Sequence, residues 1–259
     1  MDSRFDALSR RTLAPLLLAG LLALGGARLA CADSPVFGAS GLLPGVRQAD
    51  IVPMAPGVGS ATTPLSPAVN LIANGGFEEG FQDGVGLGWT AFANGSSQAG
   101  WCDDTWTPVV YQGAHAQLMS LKDIQERDRY VGIFQTVAVV PNTTYLLTLH
   151  GLVRSDPASV SVSNWGYRMQ FGIDFGGGTD WQSSDVMWLE LMWDEQPRTE
   201  PPLPTGYQFG TYAATIRAPG DRVTLFIRGW NKWPGPWEAD YDVDEISLAA
   251  YQPAGAAAR

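Results

Sequence analysis

The chain has 259 residues, with 26 acidic against 16 basic side chains, two histidines, two cysteines and a formal net charge of −10 at pH 7. So acidic a chain repels phosphate backbones and anionic headgroups, which argues against nucleic-acid and membrane-surface partners. Two cysteines exclude a cysteine metal cluster, and the length suits one sandwich-sized domain with a real core.

Arg10 and Arg11 precede an apolar run over 13–24 that is too short to span a bilayer, and small residues follow, ending in Ala30-Cys31-Ala32. The pattern reads as a signal peptide over 1–32, cleaved after Ala32, and so as a secreted or cell-surface protein with no membrane insertion once the leader is gone. Ser9-Arg10-Arg11-Thr12-Leu13 also resembles a twin-arginine signal, which implies a bacterial source; a general secretory leader with two arginines is the alternative. Losing Cys31 leaves Cys102 as an inert thiol with no intrachain disulfide.

Residues 33–68 are rich in Pro, Gly, Ser, Ala and Thr without a sustained period and read as a flexible linker, dispensable for folding, with a short apolar island at 49–54. The patterned domain runs over 69–252, and 253–259 is a disordered tail. Within the domain, period-two alternation punctuated by Gly, Pro, Asn and Asp predicts strands over 106–112, 115–121, 130–140, 144–154, 167–175, 186–193, 207–217, 222–230 and 240–249. Nine strands without a convincing helix predict an all-β chain folded as a two-sheet antiparallel β-sandwich.

Two strands expose their facing. Tyr167, Met169, Phe171, Ile173 and Phe175 share one face, which leaves Arg168, Gln170 and Asp174 on the other. Val223, Leu225 and Ile227 likewise leave Thr224, Phe226, Arg228 and Trp230 facing away from the core. An arginine beside aromatics on a non-core face has the composition of a binding surface; cover by a loop is the alternative.

At the domain start, Asn74-Gly75-Gly76 supplies a turn, Phe77 a core anchor, and Glu78 and Glu79 two carboxylates; near the end, Asp240, Asp242, Asp244 and Glu245 supply more. Such oxygen ligands suit a hard cation, although acids at turns and strand edges also serve solubility. Asn74-Gly75-Gly76-Phe77-Glu78-Glu79, the middle segment Gln135-Thr136-Val137-Ala138-Val139-Val140-Pro141-Asn142-Thr143-Thr144-Tyr145 and the closing Asp242-Val243-Asp244-Glu245-Ile246-Ser247-Leu248 together resemble CenC-type carbohydrate-binding modules. The resemblance implies a galactose-binding-like jelly roll, a polysaccharide or glycan partner, and a structural calcium held by Glu78 and Asp244 with Glu79 and Asp242 as neighbours.

All ten tryptophans lie at or beyond position 89, several in polar, turn-like surroundings. Indoles beside Asp, Asn and Arg suit sugars, since a pyranose stacks its C–H face on a ring while its hydroxyls bond to planar polar groups. The expected patch is Arg168, Gln170, Arg228 and Trp230, walled by Trp101, Trp106 and Trp181; indoles plugging the ends of the sandwich are the competing explanation. Signals for catalysis are poor. His115 and His150 lie in strand patterns without a nucleophile motif, and metal-protease, P-loop and dinucleotide fingerprints are absent. Asp103, Asp104, Glu190, Asp194 and Glu195 are the acids available to a glycosidase. The leading reading is a secreted, non-catalytic glycan-binding module; the alternatives are an adhesion or matrix protein using the sandwich for protein contacts, and a small jelly-roll glycosidase or lyase.

Overall fold

Alternation of apolar and polar residues gives each long strand one face for the core, and the strands pair accordingly. The computed structural model describes residues 51–54, 69–95 and 97–251. In chain order these form β1 (Ile51–Pro53), β2 (Phe81–Gln82), β3 (Val85–Gly86), β4 (Thr90–Ala93), β5 (Gln98–Asp104), β6 (Ala116–Lys122), β7 (Arg129–Ala138), β8 (Thr144–Ser155), α1 (Val160–Ser163), β9 (Tyr167–Asp174), β10 (Met187–Leu191), β11 (Glu195–Pro197), β12 (Gly210–Arg217), β13 (Arg222–Asn231) and β14 (Ala239–Ala250).

One sheet runs β1-β12-β8-β14-β6-β5, with β11 parallel to β8; the other runs β10-β9-β13-β7-β4; β2 and β3 form a small ribbon. All other pairings are antiparallel, and the result is the expected all-β jelly-roll sandwich. Leu147 and Leu149 of β8, Tyr241 and Val243 of β14 and Met119 of β6 meet Ile133 of β7, Phe171 of β9 and Leu225 of β13 in one buried core. Glu245 takes a left-handed conformation at a bulge in β14, between Asp244 and Ser247. The bulge changes the strand's parity, so Asp240, Asp242 and Asp244 point away from the core while Ile246 and Leu248 point into it.

The two ends of the domain meet. Asn70 Nδ2 donates to the Ile246 carbonyl at 3.0 Å, Leu248 N donates to Asn70 Oδ1 at 2.9 Å, and Ile246 N donates to the Gly75 carbonyl at 2.8 Å. A Cβ on Gly75 would stand 2.0 Å from the Ile246 oxygen, so only glycine permits this approach.

Several expectations need correction. Residues 106–112 are not a strand: Asp104 Oδ1 accepts from Trp106 N at 2.9 Å, Pro108 opens a single 3-10 turn at Thr107–Val109, and Val109 packs with Leu152 on the outer face of the first sheet. Within the expected linker, Ile51–Pro53 is an edge strand on β12, with Ile51 buried. Cys102 is disulfide-bonded rather than a free thiol. Cys31 is the other cysteine of the sequence and, like the leader and the tail over 253–259, lies outside the described residues.

Candidate functional site

The non-core face of the five-stranded sheet carries an aromatic array set by strand register. Arg228 lies opposite Gln170 on β9 and Gly132 on β7; Trp230 lies opposite Arg168 and Tyr130; Phe226 lies opposite Gly172 and Phe134. Two glycines make room for rings lying across the sheet. A Cβ on Gly172 would come within 2.8 Å of the Trp188 ring, and one on Gly132 within 2.2 Å of the Phe92 ring. The segment between β9 and β10 turns at Gly177, whose φ is +75°, and brings Trp181 over Phe92 with centroids 4.9 Å apart and planes at 24°.

Arg228 sits at the centre of this array. Its Cζ lies 3.5 Å from the Trp188 ring centroid, 3.9 Å from that of Tyr130 and 5.7 Å from that of Trp181. Its Nε donates to Gln170 Oε1 at 2.7 Å. Burial pushes the guanidinium down to about 10, only partly opposed by Tyr130. Trp230 is half-buried, stacks on Tyr130 at 5.9 Å and 23°, donates from Nε1 to Asp128 Oδ1 at 3.0 Å, and carries Lys232 Nζ at 4.4 Å. Gln170, Trp181, Arg228 and Trp230 are thus brought together.

Three expected site residues are placed elsewhere or already engaged. Arg168 shares the face but is fully buried, with Nε on Glu190 Oε1 at 2.8 Å, Nη1 on the Trp193 carbonyl and Nη2 on the Leu191 carbonyl, so its donors are spent within the protein. Trp101 is core: buried to 4% exposure, it donates from Nε1 to the Gly132 carbonyl at 3.1 Å, because β5 turns it inward. Trp106 lies on the outer face of the opposite sheet, edge-on to Tyr207 at 5.8 Å and near Arg154. Tyr130 and Trp188 were missed by the sequence reading, although both lie on the same parity as Phe134 and Glu190 in their strands.

The acids considered for catalysis all have structural partners. Asp103 pairs with His115 at 2.8 Å, Asp104 with Arg154, and Glu190 and Asp194 with Arg168. Glu195 accepts from Ser155 and Ser163; burial raises its pKa, while those hydroxyls pull it back. A separate cleft of about 510 Å³ is lined by Tyr167, Trp233 and Trp237, but its Asp156 is held by Arg198 and by the Glu238 amide.

Glu78 and Asp244, expected at calcium, come from different parts of the chain but accept from amides of one loop, over 111–115. Glu78 Oε1 accepts from Ala114 N and His115 N at 2.7 and 2.9 Å, and Asp244 Oδ2 accepts from Tyr111 N and Gln112 N, both at 3.0 Å. Asp242 turns instead to Arg154, with bonds of 2.7 and 2.9 Å. Among the described residues no group of three or more His, Cys, Asp or Glu is placed to hold a metal ion.

No protein-family model matches the chain, and no curated relative matches it. Solved structures do. A family 61 carbohydrate-binding module in complex with β-1,4-galactotriose is 13% identical, with 71% of this chain and 100% of that chain covered and a TM-score of 0.46. A xylan-binding domain of family 22 is 14% identical over 71% of this chain and 97% of that one, with a TM-score of 0.38. The enzymatically active domain of a bacteriophage CBA120 tailspike is 13% identical over 70% of this chain and only 21% of that one, with a TM-score of 0.42. These are distant likenesses of fold.

Proposed function

We propose that the protein is a non-catalytic glycan-binding module and that the sugar lies on the non-core face of the five-stranded sheet. The observation that carries this reading is the array of half-buried rings, Tyr130, Trp181, Trp188 and Trp230, around the guanidinium of Arg228. Ring faces offer area to pyranose C–H groups at low conformational cost, and Arg228, Gln170 and Lys232 offer directional polar contacts at the same place. Non-catalytic action is supported by the pairing of the candidate acids with Arg, His or Ser side chains.

Glycan-array binding of the folded protein and of Trp230→Ala tests it. Trp230 stacks at the sheet surface rather than in the core cluster, so its loss should cost about 2 kcal/mol of affinity with little change in Tm. Retained affinity in Trp230→Ala, or unfolding with affinity preserved in the folded fraction, removes this face from consideration.

Calcium at Glu78 and Asp244 is a separate proposal, supported by the second oxygen of Glu78, which accepts no hydrogen bond among the described residues. A bound ion would raise Tm over that in chelator by mass action. Equal Tm values in calcium and chelator, with no calcium by elemental analysis, dispose of it.

A further inference from the structure

Burial of an arginine normally comes with an anion, and the two fully buried arginines of this domain, with the half-buried Arg198, follow the rule. Arg154 is held by Asp104, Asp240 and Asp242; Arg168 by Glu190 and Asp194; Arg198 by Asp156, Glu238 and Asp240. Arg228 breaks it. Only 8% exposed, it has one hydrogen-bond partner, the neutral amide oxygen of Gln170, and no carboxylate within 4 Å among the described residues. Its Nη1 and Nη2 donate to nothing in the described residues, yet neither is fully enclosed, so the open fork keeps access to solvent.

In a chain of net charge −10 this is not for want of acids. The nearby ones are committed: Glu190 to Arg168 and Lys232, and Asp128 to the Trp230 indole. A desolvated cation without a counter-ion is costly to keep, and the two planes that hold it, Tyr130 and Trp188, fix the fork in one orientation. A fixed, unpartnered fork held by aromatic planes and reachable from solvent is complementary to a planar or tetrahedral oxyanion attached to a ring that stacks beside it.

We propose that the ligand is an acidic glycan, whose carboxylate or sulfate oxygens take the two free nitrogens of Arg228 while the sugar ring lies against the neighbouring indoles. This rests on the glycan reading above and narrows it to a charge class. The free guanidinium depressed by burial is consistent with it, since an arriving anion restores the lost stabilisation of the charge.

The test uses ligands matched except for charge. Galacturonate and galactose are titrated against the folded protein while the indole N–H resonances of Trp181, Trp188 and Trp230 are followed. De-esterified and fully methyl-esterified homogalacturonan, and a sulfated galactan and its desulfated form, are then compared by affinity electrophoresis. The acidic member of at least one pair should bind about tenfold more tightly, the scale of one charge-assisted hydrogen bond. Preference for the uronate pair identifies a carboxylate, and preference for the galactan pair a sulfate. Equal binding of neutral and acidic members overturns the acidic class and leaves the glycan reading standing; no indole response to any sugar overturns both. Arg228→Met should abolish the preference and leave Tm equal or higher, because an apolar chain replaces an unpaired buried cation. Arg228→Lys, which keeps charge without the fork, should weaken the preference. A lower Tm in Arg228→Met together with unchanged preference would assign Arg228 to the fold alone.

Discussion

Arg154 and Arg228 occupy equivalent places on opposite sheets, each on a central strand and facing away from the core, yet their surroundings differ in charge. Arg154 is fully buried among Asp104, Asp240 and Asp242, with the Asp242 pair bidentate at 2.7 and 2.9 Å. Removing it leaves the buried Asp242 and Asp240 beside the partly buried Asp104 without their shared cation, so Arg154→Met should cost about 3–5 kcal/mol of stability. Urea unfolding of the variant measures this, and a loss below about 1 kcal/mol would mean that water reaches the acids when the arginine is gone. The same substitution at Arg228 removes an unpaired charge. Sequence did not distinguish the two, because each reads as an arginine in an alternating strand. What separates them is which strand lies alongside: β14 supplies aspartates to Arg154, whereas β9 and β7 supply an amide and a glycine to Arg228.

At the scale of elements, β9 and β13 were legible because apolar residues recur at every second position, from Tyr167 to Ile173 and from Val223 to Ile227. Their faces follow from the period alone, and their pairing places Arg228 beside Gln170 and Trp230 beside Arg168. Short elements were not legible. β4 has four residues, and β5 reads Gln-Ala-Gly-Trp-Cys-Asp-Asp, where glycine and the acids hide the inward turn of Trp101. The segment over 106–112 shows the converse error. Its Trp, Val and Tyr content resembles a strand, but an Asp side chain and a proline convert it to a 3-10 turn, which also carries Trp106 to the wrong sheet for the patch. Gly132 and Gly172 were the readable signs of the aromatic face: glycine in a strand interior marks a place where something large comes close, here Phe92 and Trp188.

Across the whole molecule, the first and last motifs of the domain are joined through Asn70, a closure that the paired acidic and Asn-Gly-Gly segments hinted at and the hydrogen bonds make explicit. The disulfide at Cys102 was not legible in the sequence, because the expected cleavage after Ala32 discards the only other cysteine. An intrachain bridge is incompatible with the expected cleavage after Ala32.

The short strand β1 has a consequence for how copies of the protein behave toward one another. Ile51, Val52 and Pro53 run antiparallel to Ile216, Thr215 and Ala214 and occupy the outer hydrogen-bonding edge of β12. Pro53 has no amide hydrogen to offer a further strand, so β1 is a poor template for extension. In a chain shortened to residues 69–259, carrying Cys102→Ser because the only other cysteine is removed with the leader segment, the core cluster among the described residues loses only Ile51, so cooperative folding should persist at lower stability, but β12 would present an unpaired edge. Such a chain should self-associate through that edge, eluting as a dimer or larger species where the longer chain elutes as a smaller one. A shortened chain that stays monomeric at high concentration would show that β12 does not need its guard.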